Sequence, residues 1–427
     1  MKKLNKKSLV IIFSLIASLL SVGCNHGTSK SNMLLNLDGL SDDSSDEWTS
    51  LLGISTMESR ASGITSDLSG NIYATGYTSI ALDGQILVGF PDLFVVKYNS
   101  IGEKQWTRLL GATDVSTFAL GITSDLSGNI YTTGTTKGDM DGQSGTGFFC
   151  LFVVKYDSNG EKQWTRLLGT YGANAYATGI TIDPSGNVYT TGYTEWSLDG
   201  QPHSEGMNQF IVKYNSNGEK QWTRLLSGYG RAIISDNAGN IYATSKECIA
   251  KYNSEGEMLW KIRIAGAAPM TEGITSDRFG NVYVTGTTGE TIDGQPKVGQ
   301  ANLFVIKYNS NGEKQWTRLL GAAVSDTNAM AITSDSTGNV YTTGYTNGNL
   351  DGQSLTYNIN MFVVKYDSDG NRLWTKLRAA YGKRTYSYGI TLDASENIYT
   401  TGNVMGSLIT GSDIGFYDLF VSRFNNE

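Results

Sequence analysis

Seven times along this chain the same three landmarks return in the same order, and that repetition limits the possible folds more than any other feature. An Asp in segments such as "ITSDLSGNIY" stands at Asp67, Asp125, Asp183, Asp236, Asp277, Asp335 and Asp393. An aromatic closes segments such as "FVVKY" at Tyr98, Tyr156, Tyr214, Tyr252, Tyr308, Tyr366 and Phe424, and the Trp of "QWTRLLG" recurs at Trp48, Trp106, Trp164, Trp222, Trp260, Trp316 and Trp374. The usual spacing is that from Asp67 to Asp125; only the fourth unit is much shorter. Each unit holds four strand-like runs, typified by "GITSD", "NIYTTGYT", "FVVKY" and "KQWTRLLG", separated by Gly, Asn, Asp and Ser. Four strands at a regular period of about 40 to 60 residues predict a propeller, because other repeat architectures use shorter or helical units. The expected fold is all-β: a seven-bladed β-propeller of four-stranded blades. Composition agrees, with 51 Gly and 24 Tyr against 5 Pro, and strand runs rich in Thr, Val, Ile and Tyr.

The Trp landmark arrives once too early. "DEWTSLLG" at residues 46 to 53 has no "FVVKY" before it, and the last unit ends at Phe424 with no "QWTRLLG" after it. Residues 47–53 therefore form the expected outermost strand of the last blade, closing the ring and covering an open edge.

The pattern "D-x-S-G-N-[IV]-Y-x-T-G", then a "DGQ" loop, then "FVVKYNSNGEKQW", extends over residues 48 to 424. It closely resembles the SBBP family, named for the seven-bladed β-propeller and frequent in bacterial surface lipoproteins. The resemblance implies the fold and supplies no catalytic motif. By similarity to NHL and related propellers, "GITSD" is the expected innermost strand.

Two connections never change length. The landmark Asp precedes the Tyr of "NIY" or "NVY" by the same interval in every unit, as Asp67 precedes Tyr73, and the "KY" aromatic precedes Trp as Tyr98 precedes Trp106. In the first turn Gly supplies a positive φ and the Asp carboxylate accepts backbone N–H bonds. The sialidase Asp-box differs, with Gly one position closer to its Asp, so these Asp residues are expected to build turns rather than bind metal. The Trp residues are expected to pack between blades, each burying on the order of 150–250 Å².

All substantial length variation falls on the opposite face. The stretch from Tyr242 to Tyr252 replaces loops as long as that from Tyr73 to Tyr98, which predicts a notch at the fourth blade in a raised rim. "DGQ" recurs at Asp83, Asp141, Asp199, Asp293 and Asp351 and reads as turn chemistry. Aromatics outside the repeat are the candidates for partner binding: Phe148, Phe149, Tyr171, Tyr176, Trp196, Tyr357 and Tyr386, with His203 beside them.

At the N-terminus Lys2, Lys3, Lys6 and Lys7 precede the apolar "SLVIIFSLIASLLSV" and then "SVGC". This resembles a bacterial lipobox, with Ser21 in place of its usual Leu. The expected organisation is a lipoprotein signal peptide over 1–23, a polar tether over 24–45 from lipidated Cys24, and the propeller over 46–427. Such a chain would be anchored in the cell envelope, at the outer membrane or cell surface, and monomeric. Without the signal, 29 basic residues face 40 acidic ones, a formal charge of −11, which argues against nucleic acid. Cys150 and Cys248 lie in units that are not neighbours and are expected to be free thiols.

The folded part has a single His, His203, which excludes a His-based triad or a two-His metal site there. No cofactor is expected. The leading expectation is a non-enzymatic binding or scaffold protein whose long-loop face meets a protein or glycan. A propeller lyase or glycosidase is the rival, and needs unique polar residues where the inner strands meet the long-loop face. A structural or antigenic surface protein is the third reading.

Overall fold

The computed structural model describes residues 33–34, 47–52, 57–264, 269–379, 383–405 and 417–426. The expected signal peptide and Cys24 lie outside them, as does nearly all of the expected tether.

Seven antiparallel sheets follow one another around a ring. Six have four strands taken consecutively from the chain, from Ser59–Ser66 through Lys104–Leu110 in the first to Thr327–Ser334 through Arg372–Arg378 in the sixth. The seventh is built from both ends. Arg384–Leu392, Ile398–Met405 and Tyr417–Phe424 are joined by Trp48–Leu52, which pairs antiparallel with Tyr417–Phe424 from Trp48 opposite Arg423 to Leu52 opposite Leu419. Met33–Leu34 adds a fifth, outermost strand, opposite Leu51 and Ser50.

The second and third strands of each blade, such as Ile72–Thr78 and Asp92–Tyr98, are buried on both faces because each blade is packed on two sides. Between the seventh and first blades, Trp48, Leu52 and Leu419 meet Ile72, Phe94 and Tyr98. The cluster between the third and fourth is the smallest, Tyr189 and Ile211 meeting Ile233, Ala243 and Tyr252. The Trp landmarks sit at these seams as expected. Trp106 lies 5.9 Å from Tyr73 by ring centroids and donates Nε1–H to the Ser158 carbonyl of the next blade at 3.4 Å. Trp48 lies between Tyr98 and Tyr399, 6.0 Å from each, and reaches Ser100 of the first blade. Its ring rests on Gly102, where a Cβ would come within 2.7 Å. Glu47 accepts from the Asn425 amide at 2.9 Å and pairs with Arg378 of the sixth blade.

The landmark Asp residues are spent on turns. Asp67 Oδ1 accepts from the Ser69 and Asn71 amides, and Oδ2 from the Asn71 side chain and the Tyr73 hydroxyl, all at 2.8–2.9 Å. The same four bonds recur in every blade, as at Asp183 and Asp393. Burial alone would raise the Asp335 carboxyl, but bonds from Thr337, Asn339 and Tyr341 outweigh it and hold it below the usual range.

The raised rim is corrected. In "DGQ" both Asp and Gly have positive φ, 51° and 76° at Asp83 and Gly84, giving a tight turn. Its carboxylate then binds Lys104 and Thr107 of the same blade's outermost strand. Gln85 Oε1 accepts from the Leu109 amide at 2.9 Å, so the loop runs down the outside of the blade and covers its edge. The turn chemistry is as expected, but the loop is a strap rather than a rim. The fourth blade has two residues, Lys246 and Glu247, in its place. Its outermost strand, Met258–Arg263, exposes Met258 and Leu259 by half. Both Cys150 and Cys248 are free thiols.

Candidate functional site

All seven innermost strands converge on a central channel. At its long-loop end lies a cavity of about 510 Å³ lined by residues from every blade. Below its mouth the wall is uniform: Ile64, Ile122, Ile180, Ile233, Ile274, Ile332 and Ile390, each three residues before the landmark Asp. The strands approach closely there. A Cβ on Gly389 would meet Ile64 Cγ2 at 3.0 Å.

Two residues nearer the mouth, every innermost strand carries a β-bulge. Ala61 pairs with Gly76 and Gly63 with Thr75, so Ser62 has no partner in the ladder and turns to the channel. The glycine of "Y-x-T-G" makes room for the bulge, since a Cβ on Gly76 would stand 1.8 Å from the Arg60 carbonyl. The counterparts are Leu120, Thr178, Glu272, Met330 and Tyr388, and in the fourth blade, where the bulge takes two residues, Arg231. No two of the seven are alike. The position two residues earlier is almost as varied: Arg60, Phe118, Tyr176, Tyr229, Met270, Asn328 and Tyr386.

Side chains at these two positions, with neighbours from the second strand and from within or just before the third, form aromatic arcs beyond the cavity lining, whose own aromatics are Tyr77 and Tyr388. Phe149, Tyr176, Tyr193 and Tyr229 form one arc, with successive centroids 5.3, 5.1 and 4.9 Å apart. Tyr345, Tyr386 and Tyr388 form another, with Tyr386 and Tyr388 nearly parallel at 3°. Tyr417 stands beside Tyr386 and under the Arg60 guanidinium, 4.0 Å from it. Arg60 is also paired with Glu58.

Between the arcs stands Arg231, with its Nη1 3.6 Å from Glu272 Oε2, beyond hydrogen-bond length. Arg231 Nε is buried with no acceptor among the described residues. Burial pushes the Glu272 carboxyl above its usual range, with Arg231 opposing. Burial likewise raises the Tyr388 phenol. The described residues include no group of three His, Cys, Asp or Glu placed to hold a metal ion.

The loop aromatics chosen from sequence are dispersed. Tyr176 and Tyr386 lie on innermost strands two residues before the bulge, and Phe149 lies tilted against Tyr176. Trp196 and His203 meet at 5.4 Å in the third blade's strap loop. Tyr171 is 94% exposed on a connection between blades and Phe148 64% exposed. Tyr357 is half-buried in the sixth blade's loop, its amide on Asn360. Sequence reasoning missed Arg60, Tyr193, Tyr229, Arg231, Glu272 and Tyr388. The signal was present, because aligning the units on their Asp shows an invariant Ile and, two residues earlier, seven different side chains.

Six segments match the model of the SBBP beta-propeller repeat: residues 47–82, 105–139, 163–195, 264–292, 315–351 and 373–403. Five run from an outermost strand into the next blade and the sixth begins at Ile264, just after the fourth blade's outermost strand; the passage into the short fourth blade is the one unmatched. An uncharacterised WD repeat-containing protein of Acanthamoeba polyphaga mimivirus is 24% identical over 74% of this chain and 26% of its own length. The regulatory protein FlaEY of Caulobacter vibrioides is 25% identical over 42% of this chain and 20% of its own length. The chain thus spans about a quarter or less of the curated relatives it matches. Among solved structures, U3-55K has a TM-score of 0.56 at 8% identity, covering 88% of this chain and 98% of that one. A catalytically inactive virginiamycin B lyase from Staphylococcus aureus, with quinupristin, has a TM-score of 0.52 at 12% identity, covering 89% and 100%. At these identities the likeness is one of fold.

Proposed function

The chain belongs to the SBBP β-propeller-repeat family, and from that premise we propose that it is a non-enzymatic binding or scaffold protein of the cell envelope, anchored by lipid on Cys24. Its partner would be held at the long-loop end of the channel rather than across the outer loops. The observation that carries this reading is the bulge position, where units otherwise near-identical present seven different side chains to one cavity. Packing alone asks for no such variety, as the invariant Ile two residues deeper demonstrates. A cavity of about 510 Å³ lined mostly by apolar side chains, with Tyr77, Tyr388 and a few polar groups, has the character of a ligand site. Two measurements test the proposal. Labelled fatty acid should be incorporated by the native chain and not by Cys24→Ser. A partner bound by the native chain should be lost from Tyr388→Ala and kept by Tyr171→Ala; the reverse pattern would return the site to the outer loops.

The enzymatic reading draws on one observation, the raised Glu272 carboxyl in the cavity beside Arg231. Perturbed carboxyls cluster at catalytic sites. It requires turnover of a bound ligand that Glu272→Gln abolishes while binding persists.

A further inference from the structure

We propose that the cavity receives the end of an uncharged glycan chain, with sugar rings against the tyrosine arcs and sugar hydroxyls bridging Arg231 and Glu272. The inference rests on the binding-site reading above and adds the ligand's chemistry.

Charge comes first. Of the arginines around the mouth, Arg60 is paired with Glu58 and Arg231 with Glu272, while the charge of Arg384 beside Tyr386 is offset by those of Glu195 beside Tyr176 and Tyr193 and of Asp326 beside Tyr345. A polyanion meets no surplus of positive charge there, and the whole chain is itself acidic.

The Arg231–Glu272 pair is also unfinished. At 3.6 Å Arg231 Nη1 and Glu272 Oε2 attract without a hydrogen bond, and the guanidinium's Nε–H, deeper in the wall, has no acceptor among the described residues. A ligand completing the pair must accept from arginine and donate to carboxylate within one small fragment. A hydroxyl does both, and neighbouring hydroxyls on a sugar ring do so at once. On either side the phenol rings offer flat apolar faces for the C–H faces of sugars and hydroxyls at their rims.

An extended peptide fits less well. Peptides recognised through their backbone add to an intact strand edge, and here the bulge interrupts that edge in every innermost strand. The Ile ring below the bulges favours a ligand presented by its end.

The test is calorimetric titration of the detergent-solubilised full chain with short neutral β-glucan, chitin, mannan and galactan fragments, and with a sulfated oligosaccharide as the charged control. The expected result is binding of at least one neutral fragment, weakened about tenfold or more in Arg231→Met and in Tyr229→Ala, and unchanged in Tyr171→Ala; tenfold corresponds to about 1.4 kcal/mol. Circular dichroism of Arg231→Met confirms its fold, and Glu272→Gln serves as a second probe should that variant not fold. Preference for the sulfated control, or equal affinity in the variants, overturns the proposal. If no neutral fragment binds but a protein captured by the native chain is lost from Arg231→Met, the glycan is refuted while the binding site stands.

Discussion

The two ends of the seven innermost strands follow opposite rules. At one end the chain repeats itself: Asp, turn, Asn and Tyr, with the same four hydrogen bonds in each blade. At the other, a bulge built identically in six blades and widened in the fourth presents Ser62, Leu120, Thr178, Arg231, Glu272, Met330 and Tyr388. A duplicated unit keeps what its fold demands and diverges where the fold is indifferent. Divergence along one wall of a cavity, on an otherwise repeated backbone, is what a binding surface made from repeats requires.

Removing residues 47–52 breaks both ends together, because the ring opens. Five residues of ladder pairing and a Trp that is 5% exposed are lost from the seam between the first and last blades. Thermal melting should fall by more than about 10 °C, given roughly 1 kcal/mol for each ladder bond and about 3–5 kcal/mol for the Trp. An unchanged melting curve would show that the clasp does not hold the ring.

Next in size are substitutions at the repeated end. Asp183→Ala leaves the Ser185 and Asn187 amides, the Asn187 side chain and the Tyr189 hydroxyl without their acceptor. It should cost about 2–4 kcal/mol with ligand affinity unchanged. Gly344→Ala should cost a comparable amount, since its Cβ would stand 1.9 Å from the Asn328 carbonyl behind the bulge. Affinity lost from Asp183→Ala while its melting is unchanged would dissolve the distinction between the ends.

Acid should act on the repeated end with a smaller effect. The Asp335 carboxyl is held below its unfolded value, so its stabilisation is fully present above the usual carboxylate value of roughly 4 and is lost as pH falls from there through the lowered folded value. Asp335→Asn should flatten that part of the stability profile, measured by urea unfolding at a series of pH values. The smallest effect belongs to the varied end: Ser62→Ala or Met330→Ala should change stability by less than about 1 kcal/mol.

Most of the architecture was legible in the sequence because it is written seven times. The Asp turns, the Trp seams and the closing strand at Trp48 each follow from residue type, spacing and the need to bury an edge. The straps were misread as a rim because loop length carries no direction; that "DGQ" folds back onto Lys104 and Thr107 depends on a tertiary contact. The site was half hidden for a similar reason. Tyr176 and Tyr386 stood out as aromatics, but nothing in "ASGITSD" marks Ser62 as bulged until Ala61 and Gly63 are seen on consecutive partners. Arg231 and Glu272 belong to successive blades, and only the packing of the fourth innermost strand beside the fifth makes them neighbours.

One measurement tests the central claim most directly. Arg231, Glu272 and Tyr388 are replaced together by Thr, the side chain that the third blade carries at this position, so that neither charge is left buried alone. Melting and oligosaccharide binding are then read on the same sample. The account predicts melting within about 3 °C of the native chain, equivalent to roughly 1 kcal/mol, together with loss of measurable binding. Binding that survives, or a ring that melts as early as Asp183→Ala, would contradict it.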